Sequence, residues 1–103
     1  DRAMLEIIKS DTFDTWLRSL RDRPARARIE VRIRRLSLGN PGLARALKDG
    51  RFELKVDYGP GYRVYYTFKN PTRLLLLCGG DKTTQQDDIK LASRIAKQWE
   101  AQP

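Results

Sequence analysis

The chain has 103 residues, with 21 Lys or Arg against 13 Asp or Glu, a net charge of +8 and no histidine. That length makes one domain with a modest core, and a single cysteine excludes an internal disulfide framework and, without histidine, argues against a zinc site. No run approaches the roughly 20 apolar residues of a membrane span and no signal peptide is visible, so the expectation is a cytoplasmic protein with no membrane partner and no cofactor.

Met4 reads as the natural start, with Asp1 to Ala3 left over from expression. Met4 to Lys9 carries Leu5, Ile7 and Ile8 and predicts a first strand. Ser10 or Asp11 can cap a helix by accepting from its exposed amides. Phe13, Trp16, Leu17 and Leu20 then recur at helical spacing. Asp22-Arg23-Pro24 breaks the run, and Pro24 suits the first turn of a second helix. That helix has Ala25, Ile29, Ile33 and Leu36 on one face, and Gly39 fits a left-handed C-terminal cap. The two helices make a hairpin.

Leu43 to Gly50 reads as a loop. Arg51 to Asp57 alternates, with Phe52, Leu54 and Val56 opposed to Arg51, Glu53, Lys55 and Asp57, as a half-buried strand does. Tyr58-Gly-Pro-Gly61 turns the chain. Tyr62 to Phe68 alternates again, with Val64, Tyr66 and Phe68 opposed to Arg63, Tyr65 and Thr67. After a turn at Asn70-Pro71, the apolar run Leu74 to Cys78 predicts a central strand covered on both faces. Thr83 or Thr84 can cap a last helix striped by Ile89, Ala92, Ile95, Ala96 and Trp99, with Asp87 and Asp88 favoured in its first turn. The expected architecture is α+β, in the order β-α-α-β-β-β-α, with an antiparallel meander backed by the helical hairpin.

Period two places Lys55 and Arg63 on the polar side of neighbouring strands, facing one open surface. Lys82, just past the apolar strand, can close the group. Cations held on rigid elements read as a phosphate-handling site, because arginine's planar fork binds two phosphate oxygens and converging charges stabilise a phosphodiester's transition state. RNA is the leading candidate substrate. A strand lysine or arginine is more often merely solvated, and Glu53 on the same surface can simply pair with one of them. Tyr66 reads as packing; Tyr65 is the exposed candidate for stacking a base, with Tyr62 beside the turn. The arginines of the hairpin, Arg28, Arg32 and Arg35 among them, form either a solvated face or a contact to a large RNA. With no histidine, the base for a 2′-hydroxyl attack is a lysine crowded by like charges, or the site acts by orienting the RNA.

The runs Glu53-Leu-Lys-Val-Asp-Tyr-Gly-Pro-Gly-Tyr-Arg-Val-Tyr-Tyr66 and Leu-Leu-Cys78-Gly-Gly-Asp-Lys82-Thr-Thr-Gln85-Gln-Asp-Asp-Ile89 resemble the phage-derived Gp49-like addiction-module killer proteins. These belong to the RelE/ParE toxin superfamily, close to HigB-type toxins. The resemblance covers nearly the whole chain, so 1–103 is expected to be one RelE-like toxin domain. It implies a toxin of a type II toxin–antitoxin pair, a metal-independent endoribonuclease that cleaves mRNA at the ribosome and inhibits translation. Its implied partner is a cognate antitoxin of the helix-turn-helix type. The resemblance maps the family's strand arginine onto Arg63 and its lysine after the last strand onto Lys82, and Lys55 occupies a strand position often basic in relatives; these three are the implied catalytic residues. The C-terminal tyrosine or histidine of some relatives has no match; Thr84 and Gln85 stand there, and Gln85 joins the RNA-binding candidates. Two other readings stand beside this one: a ParE-like gyrase inhibitor without nuclease activity, and a non-catalytic nucleic-acid-binding module.

Overall fold

A computed structural model describes residues 4–102. Asp1 to Ala3, read above as left over from expression, lie outside the described residues. Strand β1 (Glu6–Lys9) leads into α1 (Asp11–Ser19) and α2 (Arg23–Ser37). Four strands follow, β2 (Ala44–Ala46), β3 (Arg51–Val56), β4 (Tyr62–Asn70) and β5 (Arg73–Gly80), and then α3 (Gln85–Glu100). They form one mixed sheet in the order β1-β5-β4-β3-β2. The class is α+β, as expected, with one more strand than the sequence suggested.

Local chemistry explains the boundaries. Ser10 caps α1, its hydroxyl accepting from the Phe13 amide at 2.9 Å while donating to the Leu77 carbonyl at 2.6 Å. One side chain thus starts a helix and ties it to β5; such a cap contributes about 1 kcal/mol. Asp22 caps α2 through the Ala25 amide at 3.1 Å, with Pro24 in the first turn. Gly39 follows the end of α2 at φ +87°, which a residue with a side chain rarely adopts.

The meander β3-β4-β5 is antiparallel, and β1 pairs with β5 in parallel. Leu43 to Gly50 is not the loop expected. It contains β2, which pairs antiparallel with β3, and a single helical turn over Lys48–Gly50. Three strand residues between Pro41-Gly42 and Gly50 are too few for periodicity to register in the sequence.

Apolar side chains fill both sides of the sheet. Against α1 and α2 lie Leu54, Val56, Val64, Tyr66, Leu74 and Leu76, with Phe13, Leu17, Ile29 and Leu36 from the helices. Against α3 lie Tyr65, Leu75, Leu77 and Cys78, with Ala92 and Ala96. The double covering expected for β5 is present. The polar face of β3 and β4, however, is not open along its length: α3 crosses it, and Glu53, Arg63, Tyr65 and Thr67 are all buried.

A β-bulge decides what faces what. Tyr65 pairs with Cys78 and Tyr66 with Leu76, which leaves Leu77 as an extra residue on β5. Beyond it the alternation is shifted, so that Gly79 meets the Trp16 ring of α1 and Gly80 meets Asp88 and Thr84 at the start of α3. A Cβ at Gly79 would lie 2.3 Å from Trp16, and one at Gly80 would lie 1.8 Å from the Asp88 carboxylate. Each glycine therefore admits one helix to the sheet.

Candidate functional site

The site grows from the register of three strands. Lys55 stands directly opposite Arg63, and Arg63 opposite Gly80. One row further along, Arg45 stands opposite Glu53, and Glu53 opposite Tyr65. Side chains on opposed residues project to the same face, so the two rows put three cations, one carboxylate and one tyrosine on the α3 side. Because Gly80 has no side chain, the Arg63 end of this face stays shallow while Thr84 and Asp88 close in. The result is a cleft of about 360 Å³ bounded by Arg45, Glu53, Lys55, Arg63 and Gln85, with Leu43 and Ala44 at its edge.

Glu53 is the hub. Its Oε1 accepts from Arg45 Nε at 2.9 Å and its Oε2 from Gln85 Nε2 at 2.7 Å, and Arg63 Nε lies 3.8 Å from Oε2. Burial pushes the Glu53 carboxyl up, but the hydrogen bonds from Arg45 and Gln85, with the charges of Arg45 and Arg63, outweigh it and hold the group below its ordinary value. Glu53 is thus an ionised carboxylate that orients its neighbours.

Arg63 is held from two sides. Its Nη1 donates to the Gly61 carbonyl at 2.7 Å, and its buried Nε faces Glu53 without a hydrogen bond. Arg63, though buried, contributes to the wall of the cleft. Lys55 is half-buried beside it. Its backbone carbonyl is taken by Arg32 Nη1 at 2.6 Å from the opposite face of the sheet.

Of the expected site residues, Arg63, Lys55 and Gln85 come together around this cleft. Lys82 does not line it. The lysine is exposed in a helical turn (Lys82–Thr84) capped by Asp81, and its Cβ would stand 3.9 Å from a Cβ placed on Gly61, whose other neighbour is Arg63. Lys82 is therefore a rim residue. Asp81, next to Lys82 in the chain, accepts from the hydroxyl and amide of Thr83 at 2.6 and 2.8 Å.

The tyrosine expectations need correction. Tyr65 is 0% exposed, covered by α3, so it offers no stacking surface. Its hydroxyl is buried without a hydrogen bond, and burial, with the nearby Glu53 charge, raises its pKa well above the ordinary value. Tyr62 faces the other side and packs edge-on against Trp16 at 6.3 Å. Tyr66 packs in the core, as expected.

The α2 arginines divide as well. Arg32 serves the fold: besides Lys55 it binds the carbonyls of Pro41 and Leu43 at 3.0 and 3.2 Å. Burial, then the charge of Arg35, lowers its pKa. Arg28 lies over the Tyr58 ring at 4.5 Å. Arg28 and Arg35 remain exposed beside a groove between α2 and the end of β3. Arg45 was not foreseen, because its strand was read as loop; the brief Ala-Arg-Ala alternation was its only sequence signal.

These features define a small α+β protein with a cationic cleft at one end of its sheet. The family model described as phage derived protein Gp49-like (DUF891) matches residues 15–99, and the chain belongs to that family, which is of the RelE/ParE-like toxin type. An uncharacterized protein of Haemophilus influenzae is 47% identical over 94 residues, covering 91% of this chain and 95% of its own. Among the described residues no helix is long and apolar enough to cross a membrane.

Proposed function

We propose that this protein is the toxin of a toxin–antitoxin pair and that it cleaves messenger RNA at the ribosome. The observation that carries the reading is the directly opposed pair Lys55 and Arg63 in an open cleft, with Arg63 oriented by a buried carboxylate and a backbone carbonyl.

The chemistry follows from the charges. A 2′-hydroxyl attacks the adjacent phosphorus and loses its proton to solvent, the bond to the 5′-oxygen breaks, and that oxygen takes a proton from solvent, leaving a cyclic phosphate and a free 5′-hydroxyl. Negative charge accumulates on the phosphoryl oxygens along the way. The Arg63 guanidinium and the Lys55 ammonium stabilise that charge, and they do so without reorganising because the sheet already holds them. Arg45 and Gln85, fixed through Glu53, line the path of the strand. Lys82 assists from the rim. Glu53 already accepts hydrogen bonds on both oxygens, so it acts as a positioning residue. The site works mainly by orientation and electrostatics.

Exposed Arg28 and Arg35 contact ribosomal RNA in this reading, while Arg32 holds the fold. The antitoxin, encoded alongside, presents an acidic surface to the cationic face.

Tightly induced expression in a bacterial host tests the reading, with growth and the 5′ ends of a reporter messenger followed together. Growth arrest with new, codon-phased ends is expected. Arrest with intact messenger and DNA damage signalling would replace it with gyrase inhibition, and absence of arrest would leave a nucleic-acid-binding module.

A further inference from the structure

The sheet ends in β1 on the side away from the cleft, and the outer edge of β1 has no neighbouring strand. Parallel pairing turns alternate residues of β1 toward β5: the Glu6 amide donates to the Thr72 carbonyl and the Ser10 amide to the Leu76 carbonyl. The odd-numbered residues therefore turn their amides and carbonyls outward. Of these, the Leu5 amide is taken by the Ser37 carbonyl at the end of α2, at 2.8 Å. Ile7 and Lys9 meet no such group among the described residues, which leaves two amides and two carbonyls in one row.

Side chains flank this row on both faces. Ile7 and Lys9 border a recess of about 630 Å³ between β1 and α2, lined from the helix by Ala27, Glu30 and Val31. Val31 is 48% exposed. Ile8 lies on the other face, half-buried against the α3 side of the core. Glu30 is the one acidic residue of α2, and neither it nor Lys9 has an ion-pair partner among the described residues. A short edge strand with charged ends is one way of preventing association. Here that guard is incomplete, because Arg73 Nε on β5 neutralises Glu6 at 2.6 Å and the two isoleucines between the charges are only half-buried.

We infer that β1 pairs with β1 of a second copy of this chain, antiparallel and about a two-fold axis, joining two five-stranded sheets into one. The free backbone groups set the register. Ile7 of each copy exchanges both hydrogen bonds with Lys9 of the other, and Ile8 faces Ile8 on the axis. Setting Ile7 against Ile7 would bring Lys9 to Leu5, whose amide is already engaged. Setting Lys9 against Lys9 would oppose like charges and bring Ile7 to Asp11, where α1 begins. Opposed residues share a face, so the second copy's Lys9 lies beside Ile7, at the recess that holds Glu30. Each unpaired carboxylate thus gains an unpaired ammonium, twice by symmetry. The cleft of Arg45, Lys55 and Arg63 lies toward the far edge of each copy and stays open. The inference does not rest on the toxin reading.

Sedimentation equilibrium of the whole chain over a concentration series tests it. Each copy carries +8, so the salt is set at physiological strength, where repulsion beyond about 8 Å is screened. A reversible monomer–dimer equilibrium is expected, with hydrogen exchange at the Ile7 and Lys9 amides slowing as concentration rises. Lys9→Glu and Glu30→Lys, both at exposed positions, should each weaken the dimer at least tenfold, although Lys9→Glu lowers the overall repulsion between copies. The double variant Lys9→Glu/Glu30→Lys keeps the net charge and should recover most of the loss. A monomer at every concentration would overturn the inference, as would a dimer that leaves the Ile7 and Lys9 amides unprotected or shows no recovery in the charge swap.

Discussion

Glu53 and Arg63 lie diagonally on adjacent strands, two residues out of direct register, with Nε 3.8 Å from Oε2 and both side chains buried. The contact is too long to be a hydrogen bond; the ion pair and the Nη1 bond to the Gly61 carbonyl together fix the guanidinium at the wall of the cleft.

Removing the Arg63 side chain should be costly. Arg63→Ala is expected to lower cleavage by about 10²–10³-fold, the usual loss when a preorganised donor to a developing charge is removed. Arg63→Lys should recover little of it, because a lysine cannot hold Gly61 and a phosphate at once. Toxicity and messenger 5′ ends, read beside a circular-dichroism spectrum of the folded variant, check this. A folded Arg63→Ala protein with full toxicity would remove Arg63 from the site.

Glu53 makes stability depend on acid. Its pKa is lowered on folding, so its contribution is present above the ordinary carboxylate value of 4.5 and is lost as the pH falls through the lower folded value. Asp81, lowered mainly by the Thr83 hydroxyl, acts in the same direction. Asp88, raised by burial, acts in the opposite one and loses its contribution as the pH rises through its folded value. Glu53→Gln should flatten the acid limb of a urea-midpoint profile while retaining the Gln85 contact. An unchanged limb would show that Arg45 and Arg63 do not depend on this carboxylate.

The paired glycines give a packing prediction. Gly79→Ala places a methyl against the Trp16 ring, and Gly80→Ala places one against Asp88 and Thr84. Each should destabilise by about 1–3 kcal/mol, as overpacking does. Trp16→Leu should relieve part of the Gly79→Ala cost but none of the Gly80→Ala cost. Urea unfolding of the single and double variants measures the coupling.

Arg32 and Arg35 should separate by their readouts. Arg32→Ala removes three hydrogen bonds to backbone carbonyls, of which the Leu43 carbonyl keeps the Lys55 amide, and is expected to cost about 1–3 kcal/mol of stability. Arg35→Ala should leave stability within about 0.5 kcal/mol. In the RNA-contact reading it should also reduce the salt slope of binding by about one. Binding titrations across salt concentration, paired with unfolding curves, decide between the roles.

Tyr65→Phe should be close to neutral, or stabilising by about 1 kcal/mol, because it deletes a buried hydroxyl that has no partner. Toxicity should persist. Loss of toxicity with stability retained would show that α3 moves aside and that the hydroxyl works.

Much of this architecture was already legible in residue patterns. The stripe Ala25, Ile29, Ile33 and Leu36, the alternation of β3 and β4 and the Ser10 cap act over one or two helical turns or across one strand, so local spacing reveals them; the expected Thr83 or Thr84 cap of α3 is not made by a side chain, and Asp81 caps the preceding turn instead. Lys55 and Arg63 were placed on one face by the same period-two argument, and the short turn between their strands made them neighbours. Glu53 was likewise seen to share that face.

Longer-range packing decided the rest. The bulge at Leu77 sets the direction of Gly79 and Gly80, and it comes from strand pairing that local periodicity does not encode. The docking of α3 turned Tyr65 from an apparent surface residue into core, because alternation tells which face a side chain takes and not what will cover that face. Strand β2 exists because β3 offers it a partner, and with it came Arg45, whose place at the cleft depends on residues eight positions away in a register only the folded sheet supplies.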